Sequence, residues 1–240
     1  MRLRLGTLVA IFGLFVSLST EIAPTGHAAG VGAAPDCSVP NPNLPVYVPP
    51  SASAADKRAS TIKISLTDKK NDQSAVTKTC TTVARKKLTR VDLQSDLKSV
   101  SYIVARHGTK AGLTITYTIW PPGVIFQPAS QPAGQVVTQQ FVTVLPDSGY
   151  QIVADNEGNG DPVYVNVSNG GSDYYDRACE QSTVKAPWGG RTVTVFVPLQ
   201  CFVALNVPVS RFSSSSNIVN GSTVTTDQVP TTRAVPLTPH

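Results

Sequence analysis

The feature that most constrains this chain is an apolar repeat of two. Ile62, Ile64 and Leu66 alternate with polar residues, and so do Val100, Tyr102 and Val104. The alternation resumes as Leu113, Ile115, Tyr117 and Ile119 after the segment His107-Gly108-Thr109-Lys110-Ala111-Gly112. Successive side chains of a strand point to opposite faces, so this period sends one side of each segment to a core and the other to water. Two alternating runs around a glycine-bearing loop predict a β-hairpin. Further strand-like runs cover 136–145, 150–154, 163–167 and 192–197. Between them lie Pro146-Asp147-Ser148-Gly149, Gly158-Asn159-Gly160-Asp161, Asn169-Gly170-Gly171 and Pro187-Trp188-Gly189-Gly190, all rich in turn formers. Only 92–98 reads as a short helix, and strand is the alternative there. Strands at this spacing predict an all-β fold, an antiparallel two-sheet β-sandwich.

The N-terminus reads as an export signal. Met1-Arg2-Leu3-Arg4 is a short basic region, and the apolar stretch 5–18 is too short for a bilayer, which needs about 20 helical residues. A polar stretch follows and ends Gly26-His27-Ala28-Ala29, with small residues where signal peptidase reads them. Cleavage is expected after Ala28; the alternative is an uncleaved N-terminal anchor. Residues 1–28 are therefore assigned to a signal peptide and the protein to the secreted or extracellular compartment, with no stable membrane insertion after cleavage.

Composition then divides the exported part. Residues 29–59 are rich in Ala, Pro, Ser and Gly and read as an extended arm. Residues 213–240 begin Ser213-Ser214-Ser215-Ser216 and end among threonines and prolines. Their few apolar groups predict a disordered tail. The sandwich domain is thus expected over 60–212.

The four cysteines, Cys37, Cys80, Cys179 and Cys201, all follow the signal. An even number in an oxidising compartment predicts two disulfides. Of three pairings, the local one, Cys37–Cys80 with Cys179–Cys201, would tie the arm to the domain and close its last strands. A zinc site is the rival reading, but there is no CxxC spacing and the internal histidine is His107.

The inventory for catalysis is thin. The three histidines are His27, His107 and His240, and the single methionine is Met1. A Ser-His-Asp or Cys-His mechanism would have to use His107, which sits in the clearest hairpin turn. No nucleophile elbow, zincin helix or phosphate-binding loop is present. No catalytic residue is assigned. A hydrolase using two carboxylates stays open, with Asp92, Asp96, Glu157, Asp161, Asp173, Asp176 and Glu180 available. The net charge of +5 is modest, and the basic clusters Lys57-Arg58, Lys69-Lys70 and Arg85-Lys86-Lys87 with Arg90 carry no interleaved aromatics. Nucleic acid is therefore not an expected partner; these clusters read as soluble strand edges, or as a patch for anionic envelope polymers.

Two patterns point to ligands. In Asp155-Asn156-Glu157-Gly158-Asn159-Gly160-Asp161, oxygen-bearing side chains fall at alternate positions around glycines. Asp155, Glu157, Asn159 and Asp161 are candidate calcium ligands, although position 12 of the pattern is Asn166 rather than Glu. The other reading is a polar hairpin turn. Exposed aromatic rings can stack on sugar faces, and Trp188, Tyr174 and Tyr175 are the candidates. Trp120, before Pro121-Pro122, is expected to be buried instead.

The segments Ile64-Ser65-Leu66-Thr67-Asp68 with Asn71-Asp72, Asp96-Leu97-Lys98-Ser99-Val100-Ser101-Tyr102 and Leu113-Thr114-Ile115-Thr116-Tyr117 resemble a pattern in uncharacterised secreted proteins of actinobacteria. There an acidic turn precedes a strand and a returning strand. The ending Val193 to Val197, Pro198, Cys201 and Phe202, with Cys179 upstream, is similar to theirs. The resemblance implies a jelly-roll-like sandwich, related more distantly to carbohydrate-binding and DOMON-type domains, and implies no known activity. The insertion 69–89 with Cys80 departs from the pattern. Function is accordingly expected to be that of a non-catalytic binding or structural module of the envelope or extracellular space. Its expected partners are an envelope glycan or a secreted or surface protein; an inhibitor acting through the loop 121–135 is a further alternative.

Overall fold

The computed structural model describes residues 51–77, 92–125, 137–156, 164–169, 179–221 and 223–238. The expected antiparallel all-β sandwich is what it shows. One sheet has five strands in the order β1 (Thr61–Thr67), β3 (Leu97–Ala105), β4 (Gly112–Ile119), β9 (Thr192–Pro198) and β8 (Thr183–Lys185). The other has six, in the order β2 (Ser74–Thr77), β12 (Thr223–Gln228), β11 (Ser213–Asn220), β5 (Val137–Leu145), β6 (Tyr150–Asn156) and β7 (Tyr164–Ser168). A small ribbon pairs β10 (Val209–Ser210) with β13 (Val235–Pro236). All ladders are antiparallel.

The period of two decides which side chains meet. Ile62, Val100, Tyr102, Val104, Leu113, Ile115, Tyr117 and Ile119 are all in the core, joined by Val193, Val195 and Val197 from β9. The expected hairpin is β3–β4, closed where the Ala111 amide donates to the Gly108 carbonyl. Gly108 has φ 93°, a left-handed conformation that favours glycine. The sheets are pinned by ring contacts. Tyr102 stacks on Phe212 at 5.0 Å between centroids, and Tyr117 meets Phe141 at 5.3 Å. The phenol of Tyr102 donates to Ser214 Oγ at 2.7 Å, and that of Tyr117 bonds Thr143 Oγ1 at 2.6 Å. Thr143 and Ser214 bond each other and complete a buried chain of hydroxyls.

This chain corrects one expectation. Residues from 213 onward are not a disordered tail: β11 lies inside the six-stranded sheet, paired with β12 on one side and β5 on the other. Ser214, Ser216 and Asn217 are fully buried. Two flanking strands satisfy the backbone, and Tyr102 and Thr143 satisfy Ser214, so serine is tolerated where composition argues for water. Phe212, Val229, Val235 and Leu237 supply apolar anchors around it.

The arm is also corrected where it is described. Ala54–Arg58 forms a short helix, α1, capped by Ser53 Oγ, which accepts from the Asp56 amide. Asp56 pairs with Arg233 at 2.9 Å, and the guanidinium of fully buried Arg106 donates to the Lys57, Ala59 and Thr238 carbonyls. Residues 29–50 lie outside the described segments. At 92–98 the chain splits the two alternatives, with a 3-10 turn over Asp92–Ser95 and strand from Leu97. A second short helix, α2 (Leu199–Ala204), carries Cys201, which is bonded to Cys179 as expected. Cys37 and Cys80 lie outside the described residues.

Candidate functional site

After β1 the chain turns through Asp68 to Gln73 and crosses to the other sheet at β2. The Asp68 amide donates to the Lys98 carbonyl, and Asn71 takes φ 63°, a region that asparagine tolerates. The Asn71 amide lies 3.2 Å from both oxygens of Asp96. Asp227, on β12, is 3 % exposed; its Oδ2 accepts from the Leu97 amide at 2.5 Å and its Oδ1 from the Gln228 amide at 3.1 Å. One carboxyl thus fastens the six-stranded sheet to the first residue of β3 in the five-stranded one. Oxygens of Asp68, Asp72 and Asp227 lie within 4.8 Å of one another. Asp68 Oδ2 is buried without a hydrogen-bond donor.

Crowded carboxylates hold protons more tightly. Burial pushes Asp227 up to about 8, with the Leu97 amide opposing and Asp68, Asp72 and Asp96 adding repulsion. Burial raises Asp96 and Asp68 as well, against backbone amides from Asn71 and Lys69. Asp227 is thus the member of the cluster pushed furthest toward holding its proton at neutral pH. Such a group can share a proton, bind hydroxyls and amines, or face a hard cation. A cleft of about 530 Å³ opens beside it, lined by Asp72, Asp227, Ser74, Ser215, Thr226 and Gln228.

The two tryptophans sit at the same end of the molecule. Register places Thr67 opposite Ser99, Leu97 opposite Ile119 and Thr118 opposite Thr192, so the turn at Asp68, the end of β4 and the start of β9 adjoin. Trp188 is 52 % exposed on the turn before β9. That turn is held in place: the Gly190 amide donates to Pro187, Gly189 to the Ile125 carbonyl, and Ile125 back to Gly190. Trp120 is not buried as expected. It is half-buried, with the Lys98 ammonium 5.2 Å and the Lys70 ammonium 6.0 Å from its ring centroid, because the strand ends there and the indole face suits a cation.

Of the residues expected to bind calcium, Asp155 lies on β6, 8 % exposed, where its Oδ2 accepts from Gln140 Nε2 at 2.9 Å. Glu157, Asn159 and Asp161 lie outside the described residues, as do Tyr174, Tyr175 and the loop from 126 to 135. His107 is exposed in the β3–β4 turn. The carboxylate cluster was only partly visible in the sequence. Asp68, Asp72 and Asp96 stood out as an acidic turn before a strand, while Asp227 lay in the segment read as a tail.

The fold and site define an antiparallel β-sandwich with one disulfide among the described residues and a cleft, lined in part by Asp72 and Asp227, on the six-stranded sheet. Among the described residues no helix is long and apolar enough to cross a membrane. Comparison with protein-family models, curated proteins and solved structures finds no match.

Proposed function

We propose that this is an exported, non-catalytic binding or structural module of the cell envelope or extracellular space, and that it binds glycan through the end of the sandwich that carries Trp188. The observation that carries the reading is the exposed indole on a turn held by three backbone hydrogen bonds. A large ring left in water on a rigid support is preorganised for stacking and loses little entropy on binding. Polar groups for sugar hydroxyls stand at the same end, in the carboxylate cluster and its cleft. The Cys179–Cys201 bond and the basic, then apolar, N-terminal sequence support export. Cell-wall pull-down and glycan-array binding should be detectable for the wild type and fall at least tenfold in Trp188→Ala; failure to bind any envelope polymer rejects the glycan reading.

A second reading rests on Asp227. A carboxyl whose pKa is raised to about 8 by burial among other carboxyl groups, at a cleft, is suited to general acid–base hydrolysis. Turnover of a polysaccharide or peptide panel that disappears in Asp227→Asn would favour an enzyme. An inactive wild type rejects it.

A further inference from the structure

We infer that the solvent-facing side of the five-stranded sheet is a separate binding face, shaped for a neutral polysaccharide chain. Its outward positions are in register across the strands. Thr67, Ser99, Thr118 and Thr192 form one row over β1, β3, β4 and β9, and Ser65, Ser101, Thr116 and Thr194 form the next. Strand geometry sets these hydroxyls about 4.8 Å apart across the sheet and about 6.8 Å apart along each strand. Among the described residues no hydrogen bond engages any of the eight side chains. The inward hydroxyls differ, since Ser214 and Thr143 are consumed by the tyrosines.

The third row carries two apolar side chains, one on either side of its central threonine. It runs Lys63, Ile103, Thr114, Phe196 and Thr183. Ile103 is 36 % exposed, an unusual place for a large aliphatic side chain on an outward face. The half-buried ring of Phe196 lies over Gly112, so close that a Cβ there would sit 2.3 Å from it. Glycine at 112 therefore lets the ring lie down on the sheet rather than stand off it. A ring lying along the sheet, an exposed aliphatic neighbour and rows of free hydroxyls together offer apolar contact to sugar C–H faces and hydrogen bonds to sugar hydroxyls.

Charge selects the ligand. These three rows contain no carboxylate, and their lysines, Lys63 on β1 and Lys185 beside Thr194 on β8, stand on the two edge strands. Lysine on an edge strand guards against sheet extension. The middle of the face is uncharged, which fits a neutral chain rather than an acidic one.

The inference goes beyond the turn at Trp188 and is testable apart from it. Binding of a soluble β-glucan, a mannan and a galactan is measured by calorimetry for the wild type, Phe196→Ala, the double variant Thr116→Val with Thr194→Val, and Trp188→Ala. The double variant keeps β-branched side chains of the same shape, so it keeps the fold even if Phe196→Ala does not. The expected result is a loss of at least tenfold in affinity for one of the three polymers in the face variants, with affinity retained in Trp188→Ala. Unchanged affinity in the double variant overturns the face; loss in Trp188→Ala alone overturns it too and leaves the proposed function standing. A concentration-dependent dimer that Ile103→Glu dissolves in sedimentation would assign the face to a second copy of the chain and also overturn the inference.

Discussion

At the scale of single residues, Asp227 is the described carboxyl group held well above the ordinary carboxylate range by burial. Its carboxyl sits at about 8 in the folded protein, far above the usual carboxylate value near 4. The folded state then binds more protons than the unfolded one between those values, so stability is full at acid pH and falls as pH rises toward 8. Asp68 and Asp96 shift in the same direction and add to the slope. Two other carboxylates oppose it at the acid end. Hydrogen bonds from Arg233 hold Asp56 below its ordinary value; for Asp147 burial works the other way, but Arg211 outweighs it. Their contribution is lost as pH falls through the carboxylate range. Thermal melts of the wild type should drop by about 5 °C or more between pH 5 and pH 9, and Asp227→Asn should flatten that change. An unchanged slope in the variant would show that Asp227 is ionised in the fold.

At the scale of elements, β11 shows how a strand can be built from residues that read as linker. Its inward side chains at 214 and 216 are serines, and they face Tyr102 of β3 and Phe141 of β5 rather than water. What makes it a strand is position: β12 and β5 occupy both of its edges. Removing residues 213–240 deletes a central strand and bares the edge of β5 that pairs with it. The expected outcome is loss of any cooperative melting transition, read by circular dichroism. A truncated chain that still melts sharply would contradict this placement. The strands legible in the sequence were β1, β3, β4, β5, β6, β7 and β9, and the clearest of them, β1, β3, β4 and β9, have apolar residues at every second position. The hydroxyl-rich strand escaped because hydropathy cannot register a partner on another strand.

At the scale of the whole molecule, the two ends of the described chain are held by one cation. Arg106 donates to carbonyls at the end of α1 and to that of Thr238, which lie near opposite ends of the described residues. Burial lowers its pKa without removing its charge, and its guanidinium satisfies the Lys57 carbonyl at the end of α1 and the Ala59 carbonyl just beyond it. Arg106→Leu leaves those buried oxygens unpaired at a cost of about 1–3 kcal/mol. Limited proteolysis should then cut faster near both 51–59 and 233–238; accelerated cutting at one end alone would mean that the ends are held independently. The Cys179–Cys201 bond closes a shorter stretch, with a sequence separation of 22, and contributes about 3 kcal/mol on a loop-entropy argument.

The alternation of Ile62 to Leu66, Val100 to Val104 and Leu113 to Ile119 was enough to determine an all-β chain with a β3–β4 hairpin, because side-chain direction along a strand depends only on local geometry. An even number of cysteines left three pairings open, and Cys179–Cys201, part of the local pairing, is the bond that forms. The sequence also marked Trp188 as a turn residue and a candidate exposed ring, and it is exposed. Tertiary structure decided the rest. It placed 213–220 between two other strands, brought Asp227 to Asp68 and Asp72 from the far end of the chain, and set the outward serines and threonines of four strands in common rows. The reason is the same in each case: a period is written in neighbouring residues, whereas a partner is a distance across the fold, and pairing order is what converts one into the other.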